Sequence, residues 1–363
     1  MLSLVLCGII IPQILKIAFQ RRLFDEQDER KIHKGAVPRL GGISFLPAMV
    51  FSLCLVLGVS LLEEIPFMEQ ALSQSVTAFL FLLCALMLIF LVGMADDLIG
   101  VRYSAKFMIQ IICALLLLCS GAIFDDFEGI LWLNEVPLWI SVPFSILVIV
   151  YIINAINLID GIDGLASGLS MIAMVSYGVL FAVAGLYVYS MIAWATLGVL
   201  MPFFYFNYFG DPKKRTKIFM GDTGSLTIGL LISFMALSVT SMIEFKTAQG
   251  YNPVICAFSP IIIPLFDVLR VYLHRIRQHR NPFLPDRCHI HHKLLALGLS
   301  TRKALALILV AAAIFLIVNV ILSRSVNPNI LVAADIIIWT AGNVVLTHLI
   351  RKREARLGQK LYQ

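Results

Sequence analysis

Charge is scarce in this chain. Only 14% of its 363 residues are Asp, Glu, Lys or Arg, while 60% are hydrophobic, and soluble domains carry roughly 25% charged residues. A water-exposed surface cannot be built from that set, so an ordinary soluble globule is excluded. Disorder is excluded for the opposite reason, because Leu, Ile, Val and Phe are far too abundant for a solvated coil. Period-two alternation is missing as well. The apolar runs are long and continuous, which argues against a membrane β-barrel. Cysteines at redox or zinc spacing are absent too: six of the seven fall in apolar stretches and read as small core hydrophobes. Mid-membrane charge, which ion-coupled transporters place near the bilayer centre, is almost lacking. Asp335 is the exception and reads as a residue near the outer rim of its helix.

What is present is a series of apolar runs of the length a spanning helix needs, about 20 residues. They predict an all-α polytopic integral membrane protein, a single domain over residues 1–363. Eleven spans are expected, centred near residues 10, 51, 84, 114, 147, 174, 199, 233, 263, 312 and 340. With the amino terminus outside and the carboxyl terminus cytoplasmic, 26 of the 28 Lys and Arg residues face inward, and only Lys246 and Arg324 lie outside. The outward loops collect acids instead, with Glu63, Glu64 and Glu69 in one and Asp125, Asp126, Glu128 and Glu135 in another. Arg21 and Arg22 follow the first apolar run rather than precede it, so that span reads as a retained anchor. The net charge of +6 is explained by this topology, and nucleic acid is not an expected partner.

The remaining carboxylates gather on the inward side, in four clusters. Asp96 and Asp97 end the third span opposite Arg102 and Lys106. Paired acids can cap a helix, or they can hold a metal ion beside an anionic substrate. Asn154, Asn157, Asp160 and Asp163 recur every third residue, which on a helix would align their oxygens on one face, before Gly161 and Gly164 let the chain leave it. Met220-Gly221-Asp222-Thr223-Gly224 follows a basic run and opens a span, a pattern suited to phosphate plus magnesium. The longest inward loop carries Asp286, Arg287, Cys288, His289, His291 and His292. Tetrahedral zinc rarely draws its ligands from nearly consecutive residues, and imidazoles with an arginine are good donors to phosphate oxygens.

Together these motifs resemble the polyprenyl-phosphate N-acetylhexosamine-1-phosphate transferases, which include the phospho-N-acetylmuramoyl-pentapeptide transferases. The resemblance rests on PRLGG at 38–42, the Asp96–Asp97 pair, NxxNxxDGxDGL from Asn154, FMGDTGS from Phe219 and PDRCHIHH from Pro285. HIHH is similar to the amino-sugar branch. The resemblance implies that Asp222 is a magnesium ligand and that Asp96, Asp97, Asp160 and Asp163 line the catalytic cleft. Asn207 stands where the family has an asparagine upstream of its GD motif, and Lys106 stands near a cationic position.

The implied reaction moves N-acetylhexosamine 1-phosphate, N-acetylglucosamine first among the candidates, from a UDP-sugar to undecaprenyl phosphate and releases UMP. It starts a cell-envelope glycan such as lipopolysaccharide or O-antigen, at the cytoplasmic face of a bacterial inner membrane. Mg2+, with Mn2+ as substitute, is the expected cofactor, held by Asp222, Asp97 and Asn157, and it would offset charge on the diphosphate. The lipid phosphate monoester has its second pKa near 6, so the nucleophile is largely ionised at neutral pH and no general base is strictly required. Asp96, Asp97, Asp160, Asp163 and His291 are the expected catalytic groups. Lys106, Asn157, Asn207, Arg287, His289 and His292 are the expected substrate contacts. A homodimer is left open. Two other classes stay open on the sequence: a transporter of sugar nucleotides or lipid phosphates, and an intramembrane aspartyl protease, which would leave the histidine loop unused.

Overall fold

A chain in hydrocarbon must pair every backbone N–H and C=O within the protein, and the long apolar runs meet that demand by coiling. The computed structural model describes residues 1–24, 37–242, 244–245, 250–279 and 288–362. Among them the regular structure is helical, with one isolated bridge between Asp126 and Glu135. The helices are α1 (Leu2–Arg21), α2 (Phe45–Leu62), α3 (Pro66–Ile99), α4 (Tyr103–Cys119), α5 (Leu138–Ile159) and α6 (Leu165–Val183). Next come α7 (Tyr187–Phe204), which runs on into a wider π turn at Tyr205–Phe209, and α8 (Gly221–Ser241). The last are α9 (Pro253–Phe258), α10 (Ile262–Arg277), the short α11 (Ile290–Ala296), α12 (Thr301–Leu322) and α13 (Pro328–Leu357).

Among the described residues ten helices are long and apolar enough to cross a membrane, with α9 and α10 forming one broken span. The expected eleventh span is α4. It is apolar but has 17 residues, or ~25 Å, short of a hydrocarbon core of about 30 Å. By contrast α3 has 34 residues, or ~50 Å, so its last turns carry Asp96 and Asp97 beyond the apolar stretch.

The centre of the bundle is α8, in which every residue from Thr223 to Thr240 is buried. Lipid tails are as apolar as Leu, so helices associate in a bilayer through close packing of small residues, and α8 supplies Gly224, Ser225, Thr227, Gly229, Ser233, Ala236 and Ser238. Its buried hydroxyls are satisfied within the bundle. Thr227 donates to the Thr223 carbonyl at 2.6 Å, and Ser233 donates to the carbonyls of Gly229 at 2.8 Å and Ile149 of α5 at 3.3 Å. Both α3 and α5 pack along α8, which brings the ends of α3 and α5 and the start of α8 to one rim. Asp335, two turns into α13, is buried and accepts a hydrogen bond from Asn319 of α12 at 2.7 Å. It is a polar clip between two helices.

Candidate active site

The first N–H groups of a helix have no partner inside it, and α8 solves this with a side chain from another helix. Asp97 accepts from the Asp222 N–H at 2.8 Å through Oδ1, and from the Thr223 N–H at 2.9 Å and the Thr223 hydroxyl through Oδ2. The preceding residue, Gly221, has φ +71°, and a methyl group there would lie 2.5 Å from the Asp97 carboxylate and 2.2 Å from the Arg39 carbonyl. Only glycine fits. The PRLGG segment is bonded to the same stretch: Phe219 N–H donates to Pro38 at 2.9 Å, Gly41 to Phe219 at 3.0 Å and Gly42 to Met220 at 2.9 Å.

Asp222 is gripped from two sides. The Lys106 ammonium, one turn into α4, donates to Asp222 at 2.8 Å and to Asp96 at 3.1 Å. The Asn157 amide, from the last turn of α5, donates to Asp222 at 3.2 Å and to the Ser225 hydroxyl at 2.8 Å. Asp96 also accepts the Val101 N–H at 2.8 Å, which fixes the turn between α3 and α4.

The run of four oxygen side chains does not share one helical face. The α5 helix ends at Ile159, and the DGxDG segment then turns the chain into α6, with Gly164 at φ +80°. Asn154 meets Gln110 at 2.7 Å, away from Asp222. Asp163, in the turn, forms an ion pair with the buried Lys217. Asn207, in the π turn after α7, accepts the Gly164 N–H at 2.7 Å and donates to the Ile218 carbonyl at 2.8 Å. It is a strut between the 160–164 turn and the strand of chain leading to Asp222, and not itself open to a ligand, being 4% exposed. Asn207→Ala is expected to lower stability by about 1–3 kcal/mol, the cost of leaving buried polar groups unpaired. Thermal unfolding in detergent measures this, and an unchanged midpoint would show that the strut is redundant.

Asp160 differs from the other four carboxylates. It is exposed at the rim, and none of the hydrogen bonds described among these residues involves its carboxyl. Crowding by protein, then the charges of Asp163 and Asp222, raise its pKa to about 7, while Arg39 pulls it down. Water reaching the exposed edge screens these charges and works in the same direction as Arg39.

The histidines enter from below this turn. His291 is 1% exposed and neither ring nitrogen has a hydrogen-bond partner among the described residues. Its ring lies over Gly161, where a methyl group would come 2.2 Å from Nε2. Burial, and next the neighbouring His292 and His289, lower its pKa to about 3, so the ring is neutral at physiological pH. The His292 ring lies beside it, tilted by 46° with ring centroids 4.2 Å apart, and His289 turns the other way to contact Asp267 at 2.9 Å. Arg287 lies outside the described residues.

The cluster therefore places Asp96, Asp97, Lys106, Asn157, Asp160, Asp163 and Asp222 on one rim with His291 at its edge. Its side chains are hard oxygen donors, the set that suits magnesium or manganese. Among the described residues no group of three His, Cys, Asp or Glu is arranged as a finished metal cage. Instead the Lys106 ammonium stands between Asp96 and Asp222. Sequence reasoning gave no role to Lys217, hidden in a basic run, or to Ser225 and Thr223, whose hydroxyls meet side chains of other helices only once the bundle forms. Asp267, a second carboxylate in a span besides Asp335, was the available signal for the contact with His289.

Residues 79–240 match the sequence family described as glycosyl transferase family 4. That interval runs from within α3 almost to the end of α8 and so holds nearly the whole rim. Full-length relatives match over most of the chain. A Pasteurella multocida protein is 35% identical over 300 residues, covering 82% of this chain and 78% of the relative. One from Salmonella typhi is 32% identical over 312 residues, covering 82% and 76%, and one from Yersinia pestis is 30% identical over 315 residues, covering 85% and 79%. Each is named an undecaprenyl-phosphate alpha-N-acetylglucosaminyl 1-phosphate transferase. The chain belongs to glycosyl transferase family 4. As a member of that family it is a multi-pass membrane enzyme, which removes the transporter and protease alternatives.

Proposed function

We propose that this enzyme transfers N-acetylglucosamine 1-phosphate from its UDP-sugar to undecaprenyl phosphate, releasing UMP and starting a cell-envelope glycan. The observation that carries the reading is the placement of Asp222, held between Lys106 and Asn157 at the start of α8, inside the family-matched interval. Purified protein incubated with undecaprenyl phosphate, Mg2+ and a panel of UDP-sugars tests it. UMP and a lipid-linked sugar should form together, with the N-acetylglucosamine donor turned over fastest. UMP formation from none of the donors would refute the reading.

The residues divide the work by position. Asp97 holds the first turn of α8, and with it Asp222, at the rim. Asp222, Asp97 and Asn157 are the groups that would hold Mg2+, which when bound would neutralise charge on the donor diphosphate. Asn157 turns its amide nitrogen toward Asp222, so its rotation would accompany metal binding. Lys106 is then free to turn its ammonium from the carboxylates to phosphate oxygens. Asp163 and Lys217 keep the 160–164 turn in place, and Asp160 projects from it toward the incoming lipid phosphate. The neutral His291 and its neighbour His292 can donate N–H groups to the diphosphate or to departing UMP. A long polyprenol cannot leave the bilayer cheaply, and a rim site lets its phosphate react without doing so.

The reading includes eleven spans, with α4 as the short one, an outside amino terminus and a cytoplasmic site in the bacterial inner membrane. The basic asymmetry supports this arrangement. Single cysteines placed in the 211–216 and 298–302 loops should resist an impermeant maleimide added to intact cells and react after permeabilisation. Labelling of either loop from outside would overturn the topology and the cytoplasmic donor with it.

A further inference from the structure

Asp267 is a carboxylate within the α10 span, and it is completely buried. Taking such a charge out of water costs several kcal/mol, and removing its partners costs more than replacing the whole set with apolar groups. The chain nevertheless surrounds it with donors. His289 Nδ1 approaches Oδ2 at 2.9 Å, the Ile290 N–H points at both oxygens at 3.0 and 3.1 Å, and the Arg270 guanidinium donates at 2.7 Å. Arg270 also donates to the Cys288 carbonyl at 2.6 Å. The same carbonyl accepts the Tyr362 hydroxyl at 2.6 Å.

Tyr362 reaches that point because the segment after α13 turns back. Gly358 closes the helix at φ +64°, and Glu354 accepts the N–H groups of Leu361 at 2.7 Å and Tyr362 at 2.9 Å. The Lys293 ammonium lies 5.8 Å from the Tyr362 ring and donates to Asn343 at 3.0 Å and Thr347 at 3.1 Å. The middle of α11 is thus tied to α13 through Lys293 and its last residue through Arg353, which donates to the Ala296 carbonyl at 3.2 Å, while its first residue is tied to Asp267. These bonds fix the rotation of α11 about its axis, and that rotation decides where the next side chains point. His289 is turned inward to Asp267, while His291, its ring parallel to His289 at 5.8 Å, is laid on the 160–164 turn.

We propose that Asp267, Arg270 and Tyr362 are positioning residues that clamp the Cys288–Ile290 backbone and so present His291 and His292 to the donor diphosphate. The step to the donor rests on the transferase reading above. The clamp itself does not. Cys288 is 3% exposed beneath these groups, and its alkylation reports the clamp without any turnover.

The variants are Tyr362→Phe, which removes one hydroxyl and keeps the ring, and Asp267→Asn, which keeps shape and removes charge. N-ethylmaleimide labelling of Cys288, followed by peptide mass spectrometry on the purified full chain, should rise about three- to tenfold in Tyr362→Phe, the loss of one hydrogen bond. The rise should be larger in Asp267→Asn. The donor kcat/KM should fall by a similar factor while KM for undecaprenyl phosphate and the thermal midpoint of Tyr362→Phe stay unchanged, a split that a general loss of folding would not give. Unchanged Cys288 labelling in both variants overturns the clamp. Increased labelling with unchanged donor kinetics overturns the positioning role. If the wild type forms no UMP, the transferase reading has failed, and the labelling ratio still decides whether the clamp exists.

Discussion

Asp222→Ala is expected to lower turnover by about 10²–10³-fold, the scale seen when a preorganised charge-stabilising group is removed from a reacting centre. Asp222 is the point where α4, α5 and α8 converge, through Lys106 at 2.8 Å and Asn157 at 3.2 Å. Its removal takes away the carboxylate proposed to hold the metal and leaves Lys106 paired with Asp96 alone. Stability should change little, because the side chain is 28% exposed at the rim and the α8 cap is made by Asp97, not by Asp222. Asp222→Asn keeps the shape and one oxygen, so its activity should also collapse if charge is what matters. Excess EDTA should silence the wild type, and added Mg2+ should restore it. Wild-type-like turnover by Asp222→Ala, or full activity in EDTA, would remove both the metal and this residue from the reaction.

The fold was legible because a spanning helix is a local property. Run length and composition decide it, and each of the eleven expected centres falls on an apolar helix. The difference lies at α4, where 17 residues leave a run too short to be read as spanning on length alone. The clusters of the site were legible as chemistry but not as contacts. Asp96 and Asp97 are adjacent in sequence, yet one pairs with Lys106 and the other caps a helix that begins more than a hundred residues later. Nothing local announces that division, since it follows from α3 running alongside α8. The every-third-residue rule misled at Asp160 and Asp163 because α5 ends at Ile159, before their positions are reached. Lys217 was indistinguishable from the exposed Lys213 and Lys214 until burial against Asp163 set it apart. His291 was read as a donor to phosphate, and its burial adds that it would act as a neutral ring.

The identity of the group that meets the lipid phosphate turns on which carboxylate is uncommitted. Asp97 already accepts from two N–H groups and a hydroxyl, Asp96 from Val101 and Lys106, Asp222 from Lys106 and Asn157, and Asp163 from Lys217. Asp160 is left with its carboxyl open to the rim, and its pKa, raised to about 7, suits removal of the residual proton from a lipid phosphate that is still monoanionic. A base works only when deprotonated, so kcat/KM should fall as pH drops through the Asp160 pKa. A divalent cation nearby favours the carboxylate, so raising Mg2+ should move this acid limb to lower pH. Asp160→Asn is expected to lower kcat/KM most below about pH 6, where much of the lipid phosphate is still monoanionic, to change it little well above that pH, and to leave only the limb set by the lipid phosphate near pH 6. The alternative role for the same carboxylate is attack on the donor, giving an aspartyl-phosphate sugar before the lipid arrives. That route would exchange labelled UMP into the UDP-sugar in enzyme freed of lipid phosphate and lipid product. Direct in-line displacement, with donor and lipid bound together, predicts no exchange. Rapid exchange that disappears in Asp160→Asn would make Asp160 a nucleophile and overturn the base assignment, and an unshifted pH profile in that variant would show that the lipid phosphate needs no base at all.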